Sequence, residues 1–442
     1  MSKGEPVATS KATSELKELD RAHNFYSWSI QGTLAPMMVS HATGMYVYDT
    51  EGTEYLDFSS QLVNTNIGHS HPAVVKAIQD QAQTLATVGP AYSSAPRVEA
   101  ATRIVELAGP DFQKVFFTNG GADAIENAIR AARLFTKKNK VLSTYRSYHG
   151  NTGAAIVATG DWRRQPNEYS THHVHFFGPF LYRSEFWSSS EEEESQRALH
   201  HLERVIQSEG PDTIAAVLLE SVPGTAGIMV PPPGYLQGVR ELCDRYGLVM
   251  ILDEVMAGFG RTGHWFAFHA HDVVPDLITF AKGVNSGYVP VGGVIFHERI
   301  ASFFDDTMFP GGLTYSGHPL AMASINAALQ AMSDEGIVDN ARVIGDDHLR
   351  PGLLSLQSKH PVIGDVRGLG CFFALDLVED PVTKAPLDAA SVGRIKGELV
   401  SRRLLPFVVD NRIHVVPPLI VTASQVQQAL DIYDEALEAA GF

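Results

Sequence analysis

Two short apolar runs each end in a residue with chemistry to offer. Leu248-Val249-Met250-Ile251-Leu252 leads into Asp253-Glu254-Val255, and Leu277-Ile278-Thr279-Phe280-Ala281 leads into Lys282-Gly283. A carboxylate and an amine delivered to one place are what pyridoxal phosphate chemistry needs. The lysine forms a Schiff base, and the aspartate pairs with the pyridine nitrogen and keeps it protonated. Both residues also have a plainer reading. A lysine after a strand is commonly solvated, and an aspartate before a helix is commonly an N-cap. Their neighbours decide between the two.

Delivering the pair requires parallel strands. Short apolar runs that alternate with helical stretches from about residue 98 to 300 give the pattern of a doubly wound α/β sheet. Such sheets place ligands outside the carboxyl ends of their strands. Val115-Phe116-Phe117-Thr118 is a further strand, followed at once by Asn119-Gly120-Gly121-Ala122 and a long amphipathic helix to about Phe135. Glycines at a strand-to-helix turn expose N–H groups, and the helix N-terminus favours an anion. Gly120, Gly121 and Ala122 are therefore the candidates to hold a phosphate, against the plainer reading of a tight turn without a ligand. Lys140-Val141-Leu142-Ser143 is a strand that leads to Tyr148-His149-Gly150, where an aromatic ring can stack on a flat cofactor or simply pack at the rim. Leu218-Leu219-Glu220-Ser221 supplies another strand-end acid, which either pairs with Arg261 or lines the cofactor pocket.

Composition narrows the alternatives. With 442 residues, 44% of them hydrophobic, the chain can bury a large core. Its net charge of −16 argues against a nucleic-acid partner. Cys243 and Cys371 are the only cysteines, which suits a reducing, cytoplasmic setting and rules out a disulfide framework. Met1 to Leu16 is polar and reads as no secretory signal, and no apolar run approaches the ~18 residues of a membrane span. Residues 1–25 read as a loosely held arm or first helix, and Met45 to Phe58 as a β-hairpin with a glycine in its turn. Ser188 to Ser195 is an acidic tract expected to be a solvated loop or helix start. The histidine pairs His69/His71, His172-His173/His175 and His269/His271 lack a supporting carboxylate or thiolate set, so no metal is expected. A nicotinamide-dependent oxidoreductase would need a Gly-x-Gly-x-x-Gly turn, and none follows a strand here.

Order and spacing of these motifs resemble the class III aminotransferases of the fold-type I pyridoxal phosphate enzymes. The resemblance runs from about Tyr46 to the end. It rests on Gly68-His69-Ser70-His71-Pro72, Thr118 to Ala124, Tyr148-His149-Gly150, Leu252 to Gly263, Pro275-Asp276, Ala281-Lys282-Gly283, Thr314 to Pro319, Arg367 to Gly370 and Pro417-Pro418-Leu419. It implies a large domain at 61–330, with a mostly parallel sheet flanked by helices. A smaller α+β domain would be built from 1–60 and 331–442.

The resemblance also implies roles. Lys282 would carry the Schiff base and Asp253 the ring nitrogen's proton, with Tyr148 on one ring face, Val255 on the other and His149 close by. Gly121 and Ala122 would bind the phosphate, and Thr314 would reach it from the neighbouring subunit of a homodimer, or of a tetramer built from two. Glu220 would lie beside the cofactor's phenolic side, or hold a mobile arginine when the substrate lacks a second carboxylate. An amine or ω-amino acid would give its amino group to a keto acid, pyruvate favoured and 2-oxoglutarate the alternative, by a ping-pong route. An aminomutase, a dialkylglycine-type decarboxylase and a racemase share the fold and are the rival readings.

Two positions depart from the family pattern. Many members carry a hydroxyl residue in place of Gly120, which would add a phosphate contact worth roughly 0.5–1.5 kcal/mol. Many also carry an arginine where His414 stands; Arg412, two residues earlier on the same strand face, is the candidate replacement as a carboxylate ligand. Leu62, Val63 and Tyr92 are expected at the substrate entrance.

Overall fold

Seven apolar segments assemble into one central sheet, and the alternation of their side chains explains why. The computed structural model describes residues 13–167 and 172–442. The sheet comprises β1 (Phe112–Thr118), β2 (Lys140–Thr144), β3 (His173–Phe176), β4 (Ile214–Glu220), β5 (Val249–Asp253), β6 (Leu277–Phe280) and β7 (Gly292–His297). Its order is β1-β7-β6-β5-β4-β2-β3, and only the two pairings made by β7 are antiparallel. Ala216, Leu218, Val249 and Ile251 pack on one side with Ala124, Ala128 and Ala132 of the helix Gly121–Thr136. Their neighbours Val217, Leu219, Met250 and Leu252 pack on the other, with Leu202 and Val239 of the helices Glu191–Glu209 and Tyr235–Tyr246. Cover on both faces is what makes these strands read as continuous apolar runs.

Two smaller sheets flank the central one. Val39–Thr43, Tyr46–Asp49 and Glu54–Asp57 form an antiparallel meander, which includes the expected hairpin with its turn at Gly52. Leu404–Leu405 adds to it in parallel, so the two ends of the chain share a sheet. Ile363–Leu369, Phe372–Asp380, Arg412–Val415 and Phe407–Val409 form the other, antiparallel throughout. This sheet carries Arg367, Asp376 and Arg412 towards the carboxyl ends of the central strands.

The acidic tract begins a helix, with the Ser190 hydroxyl accepting from the Glu193 N–H. One of its members is not solvated. Glu194 is buried, accepting from the Phe180 N–H at 2.7 Å and the Ser184 hydroxyl at 2.5 Å. The first described helix, Thr13–His23, buries no residue, and residues 1–12 lie outside the described part. Among the described residues no helix is long and apolar enough to cross a membrane.

Candidate active site

β4, β5 and β6 end side by side, with Glu220 opposite Asp253 and Asp253 opposite Thr279. Asp253 is buried and both its oxygens are engaged. Oδ1 accepts from the Val255 N–H at 3.0 Å and from Thr279 Oγ1 at 3.2 Å, and Oδ2 faces His149 Nδ1 at 2.8 Å. A carboxylate only accepts, so Nδ1 carries the imidazole proton. His149 Nε2 is buried with no partner among the described residues. Glu220 accepts from the N–H groups of Tyr148 at 3.0 Å and Gly224 at 2.8 Å. Burial lifts its carboxyl to about 6; the charge of Asp253 adds to the rise, while His149 and the two N–H donors oppose it.

Lys282 follows β6 and opens into a cleft. Burial pushes its ammonium below the usual lysine range, against the pull of Asp253 and Glu220, and Arg163 pushes the same way as burial. Its φ of 45° lies in the left-handed region, which costs a non-glycine residue about 1–3 kcal/mol. The next position must be glycine, because a Cβ on Gly283 would stand 2.4 Å from Asn66 Nδ2.

β1 runs into the helix Gly121–Thr136 through Asn119 and Gly120. The N–H groups of its first turn have no helical carbonyl to meet, and they point where the helix dipole favours an anion. A Cβ on Gly120 would touch nothing within 4 Å, so the turn is open there, whereas one on Gly121 would strike Val255 Cγ1 at 2.9 Å. Gly150 approaches from the other side at φ 132°, where a Cβ would lie 2.6 Å from that of Ala122. The turn, Val255 and the Tyr148–Gly150 loop are thus packed as one unit.

The cleft encloses about 720 Å³. Tyr148 forms one wall, with the Arg163 guanidinium 3.8 Å from its ring centroid and Trp28 edge-on at 6.5 Å. Arg146, Arg163, Arg183, Arg367 and Arg412 line the cleft with Lys282, against the carboxylates of Asp161, Asp376 and Asp410. In a chain of net charge −16, this local excess of cations is a field that gathers anions. Asp376 anchors the outer wall. It takes Arg183 in two bonds of 2.8 and 2.9 Å and also accepts from Arg367 at 3.1 Å and Asn411 at 3.0 Å. Among the described residues Arg412 has one carboxylate partner, the exposed Asp410 at 2.6 Å, and its Nε is buried without a partner.

The sequence model of the class III aminotransferases matches residues 29–437. The chain belongs to the class III aminotransferases. It is 31% identical to the taurine–pyruvate aminotransferase of Bilophila wadsworthia over 444 residues, 96% of either chain. To the acetylornithine aminotransferase of Methanopyrus kandleri it is 34% identical over 408 residues, 92% of this chain and 95% of that one. Among solved structures, the taurine:2-oxoglutarate aminotransferase of Bifidobacterium kashiwanohense, in complex with pyridoxal phosphate and glutamate, superposes with a TM-score of 0.94. That likeness is at 40% identity and covers 98% of this chain and 99% of the other. This class III aminotransferase is therefore a pyridoxal phosphate enzyme that moves an amino group from an amine to a keto acid. The residues present suit that cofactor: Lys282 and Tyr148 line the cleft with an amine and an aromatic wall, while the buried carboxylate of Asp253 and the open turn of N–H groups at Gly120 lie outside its lining, at neighbouring strand ends.

Of the residues expected at the substrate, Leu62 and Arg412 line the aminotransferase cleft, and Val63, Tyr92 and His414 do not. Val63 turns inward at φ 60° and packs with Val222 and Met256. Tyr92 lies on an exposed loop against Gly89, outside the cleft of its own chain. His414 is buried under Phe407, 4.9 Å between ring centres, and Phe407 takes the place at the cleft. Burial holds the His414 imidazole down at about 3, so it is neutral, with neither ring nitrogen bonded among the described residues. Thr314 is exposed and also lies outside its own chain's cleft. Glu220 does not pair with Arg261, whose guanidinium is buried elsewhere and donates to Ser60 Oγ, Asn66 Oδ1 and the carbonyls of Cys371 and Pro417. Among the described residues, no group of three or more histidines, cysteines or acids is placed to hold a metal.

Arg163 and Arg367 were not expected as cleft residues. A signal for them exists. Asp161-Trp162-Arg163, Asp365-Val366-Arg367 and Asp410-Asn411-Arg412 share one Asp-x-Arg spacing, and in each the two charged side chains pair.

Proposed function

We propose that the preferred donors are short amines with an anionic far end, such as taurine and other ω-amino acids, and that the acceptor is pyruvate or 2-oxoglutarate. The observation that carries this reading is the arginine-lined cleft around Lys282. The likeness to taurine aminotransferases supports it. Arg367 and Arg412, which flank Gly227 so closely that a Cβ there would meet both, favour 2-oxoglutarate as a second acceptor, because its far carboxylate needs a cationic partner.

Pyridoxal phosphate, when bound, supplies a carbonyl that condenses with amines and a ring that withdraws electrons from the donor carbon. Lys282 is the residue we assign to that carbonyl and to the proton moved to and from the donor carbon; its lowered pKa keeps more of the amine in basic form. Asp253 holds the proton on the ring nitrogen, and His149 holds Asp253. Tyr148 and Val255 cover the ring faces, and the N–H groups of Gly121 and Ala122 take the phosphate. Glu220 fixes the Tyr148 backbone from below. Thr314 reaches the phosphate of a partner subunit, so the unit of function is a homodimer. A reducing, cytoplasmic setting fits the buried free thiols of Cys243 and Cys371.

The test is an absorbance scan of the purified holoenzyme against taurine, β-alanine, 4-aminobutyrate and neutral 1-butylamine. Bleaching of the cofactor band by the anionic donors, and its return with pyruvate or 2-oxoglutarate, is expected. Bleaching by butylamine alone would overturn the donor reading.

A further inference from the structure

Resting on that donor reading, we propose that Arg163 binds the donor's far anion and that Asp161 sets how strongly it does so. Both residues line the cleft, and both are largely buried, with side chains 16% and 25% exposed. The guanidinium lies over the ring of Tyr148, which lines the same cleft as Lys282, and its charge bears on Lys282. Because both residues line one cleft, a short amine reacting at Lys282 can place an anionic far end at this arginine. That selects small sulfonates and carboxylates.

Three of the other cleft arginines are tied to carboxylates, and the fourth, Arg412, is the one assigned above to the keto acid. Arg183 is held by Asp376 and the Lys384 carbonyl, Arg367 by Asp365, Asp376 and the Gly227 carbonyl, and Arg146 by Glu185. Arg412 lies beside Arg367 in the other wall. Arg163 has one carboxylate partner among the described residues. Asp161 accepts from its Nε at 3.1 and 3.0 Å and from its Nη2, and Nη1 has no hydrogen bond among the described residues. A guanidinium presents a fork that an anionic oxygen group can engage with two bonds. Asp161 competes for that fork, so it acts as a built-in counter-ion that any substrate anion must partly displace.

The experiment uses the holoenzyme and steady-state kinetics with taurine, β-alanine and 1-butylamine. Arg163→Ala should lower the ratio of kcat/KM for taurine to that for butylamine by about 30-fold, chiefly through KM. Arg163→Lys should recover part of the loss, because it restores charge without the fork. Asp161→Asn should lower the taurine KM several-fold. Its amide oxygen still accepts the Arg163 N–H, at 2.9 Å in the parent, while the competing charge is gone. A ratio within about threefold of the parent in Arg163→Ala, with cofactor absorbance intact, would overturn the proposal, by the scale of a single charged hydrogen bond. Should that variant lose its cofactor, Asp161→Asn decides alone, and an unchanged or raised taurine KM overturns it. The parent enzyme separates the two levels: a parent that prefers butylamine sinks the donor reading itself, before any variant is compared.

Discussion

His149 Nδ1 and Asp253 Oδ2 stand 2.8 Å apart in a pair that water does not reach. With Oδ1 tied to Val255 and Thr279, the imidazole fixes the remaining freedom of the carboxylate. An outer partner of this kind orients the group in front of it, and its loss typically costs 10–100-fold. Asp253→Asn should retain the cofactor and slow the amine half-reaction by about 100-fold, by loss of the charge facing the ring nitrogen. His149→Ala should slow it by about 10-fold, and the double variant should be no slower than Asp253→Asn, because the two act as one unit. Stopped-flow bleaching of the cofactor band measures all three rates. Additive losses would show that His149 acts independently of Asp253.

Lys282 carries a separate expectation. Lys282→Ala should hold the cofactor without a covalent link and lose turnover by about 10⁴-fold, the upper range for a proton-transferring side chain. Partial recovery with added small amines would identify the missing group as a base. Near-parental turnover would remove Lys282 from the chemistry.

Arg412 and His414 share a strand face but not a role. Arg412 reaches the cleft, whereas Phe407 lies over His414. Arg412→Ala should raise KM for 2-oxoglutarate by about 10-fold or more, the value of one charge-assisted contact. His414→Leu removes a buried ring whose two nitrogens have no partner among the described residues, so KM should stay within about twofold, with stability equal or higher. Keto-acid titrations on both variants check the pair, and a large KM rise in His414→Leu would reinstate the histidine as a ligand.

The strand ends were legible because the apolar runs that form β4, β5 and β6 stop at their chemistry. Glu220, Asp253 and Lys282 each follow buried residues, and parallel pairing brings the three runs to one edge. The turn between β1 and the helix Gly121–Thr136 was legible for the same reason, as a strand, two glycines and a helix in immediate succession. The arginine wall was not. Arg163 comes from the short helical turn Trp162–Asn167, beyond the helix Gly153–Ala158, and Arg367 and Arg412 come from a different sheet, so their meeting depends on long-range packing. Period-two reasoning put Arg412 and His414 on one face correctly. It could not reveal that the cross-strand partner Phe407 would cover only the histidine. Val63 failed for a local reason, the positive φ that turns its side chain away from Leu62.

Thr314 tests the assembly. Its side chain is exposed and outside its own cleft, so a role at the phosphate requires a second copy. Thr314→Ala should weaken cofactor binding by about 10-fold, the scale of one hydrogen bond to a charged group. Hybrids of Thr314→Ala with Lys282→Ala distinguish the arrangement. If the threonine serves the partner's cleft, each hybrid dimer regains one site with both residues intact, and its cofactor affinity is parental. If the threonine serves its own cleft, no hybrid site is complete and the weakened affinity persists. Activity at limiting pyridoxal phosphate reads the difference.

Glu254 makes the fold's stability respond to pH. It is fully buried, and its carboxyl accepts the Ser221 hydroxyl at 2.5 Å and the N–H groups of Ala267 and Phe268, both at 2.9 Å. Burial nevertheless lifts its pKa from 4.5 to about 7, with Asp253 adding to the rise against those three donors. The folded chain keeps a proton that the unfolded chain releases, so the contribution is full below pH ~4.5 and is lost as pH climbs through about 7. Relative to Glu254→Gln, which has no such proton to lose, the parent should therefore lose roughly 2–3 kcal/mol between pH ~5 and ~8. Glu220, lifted to about 6, acts in the same direction in both proteins and cancels from the comparison. Urea unfolding of both proteins at the two pH values measures the difference. A constant gap between them would mean that the three donors hold Glu254 ionised throughout, and that the Asp253 edge of the sheet carries two buried charges side by side.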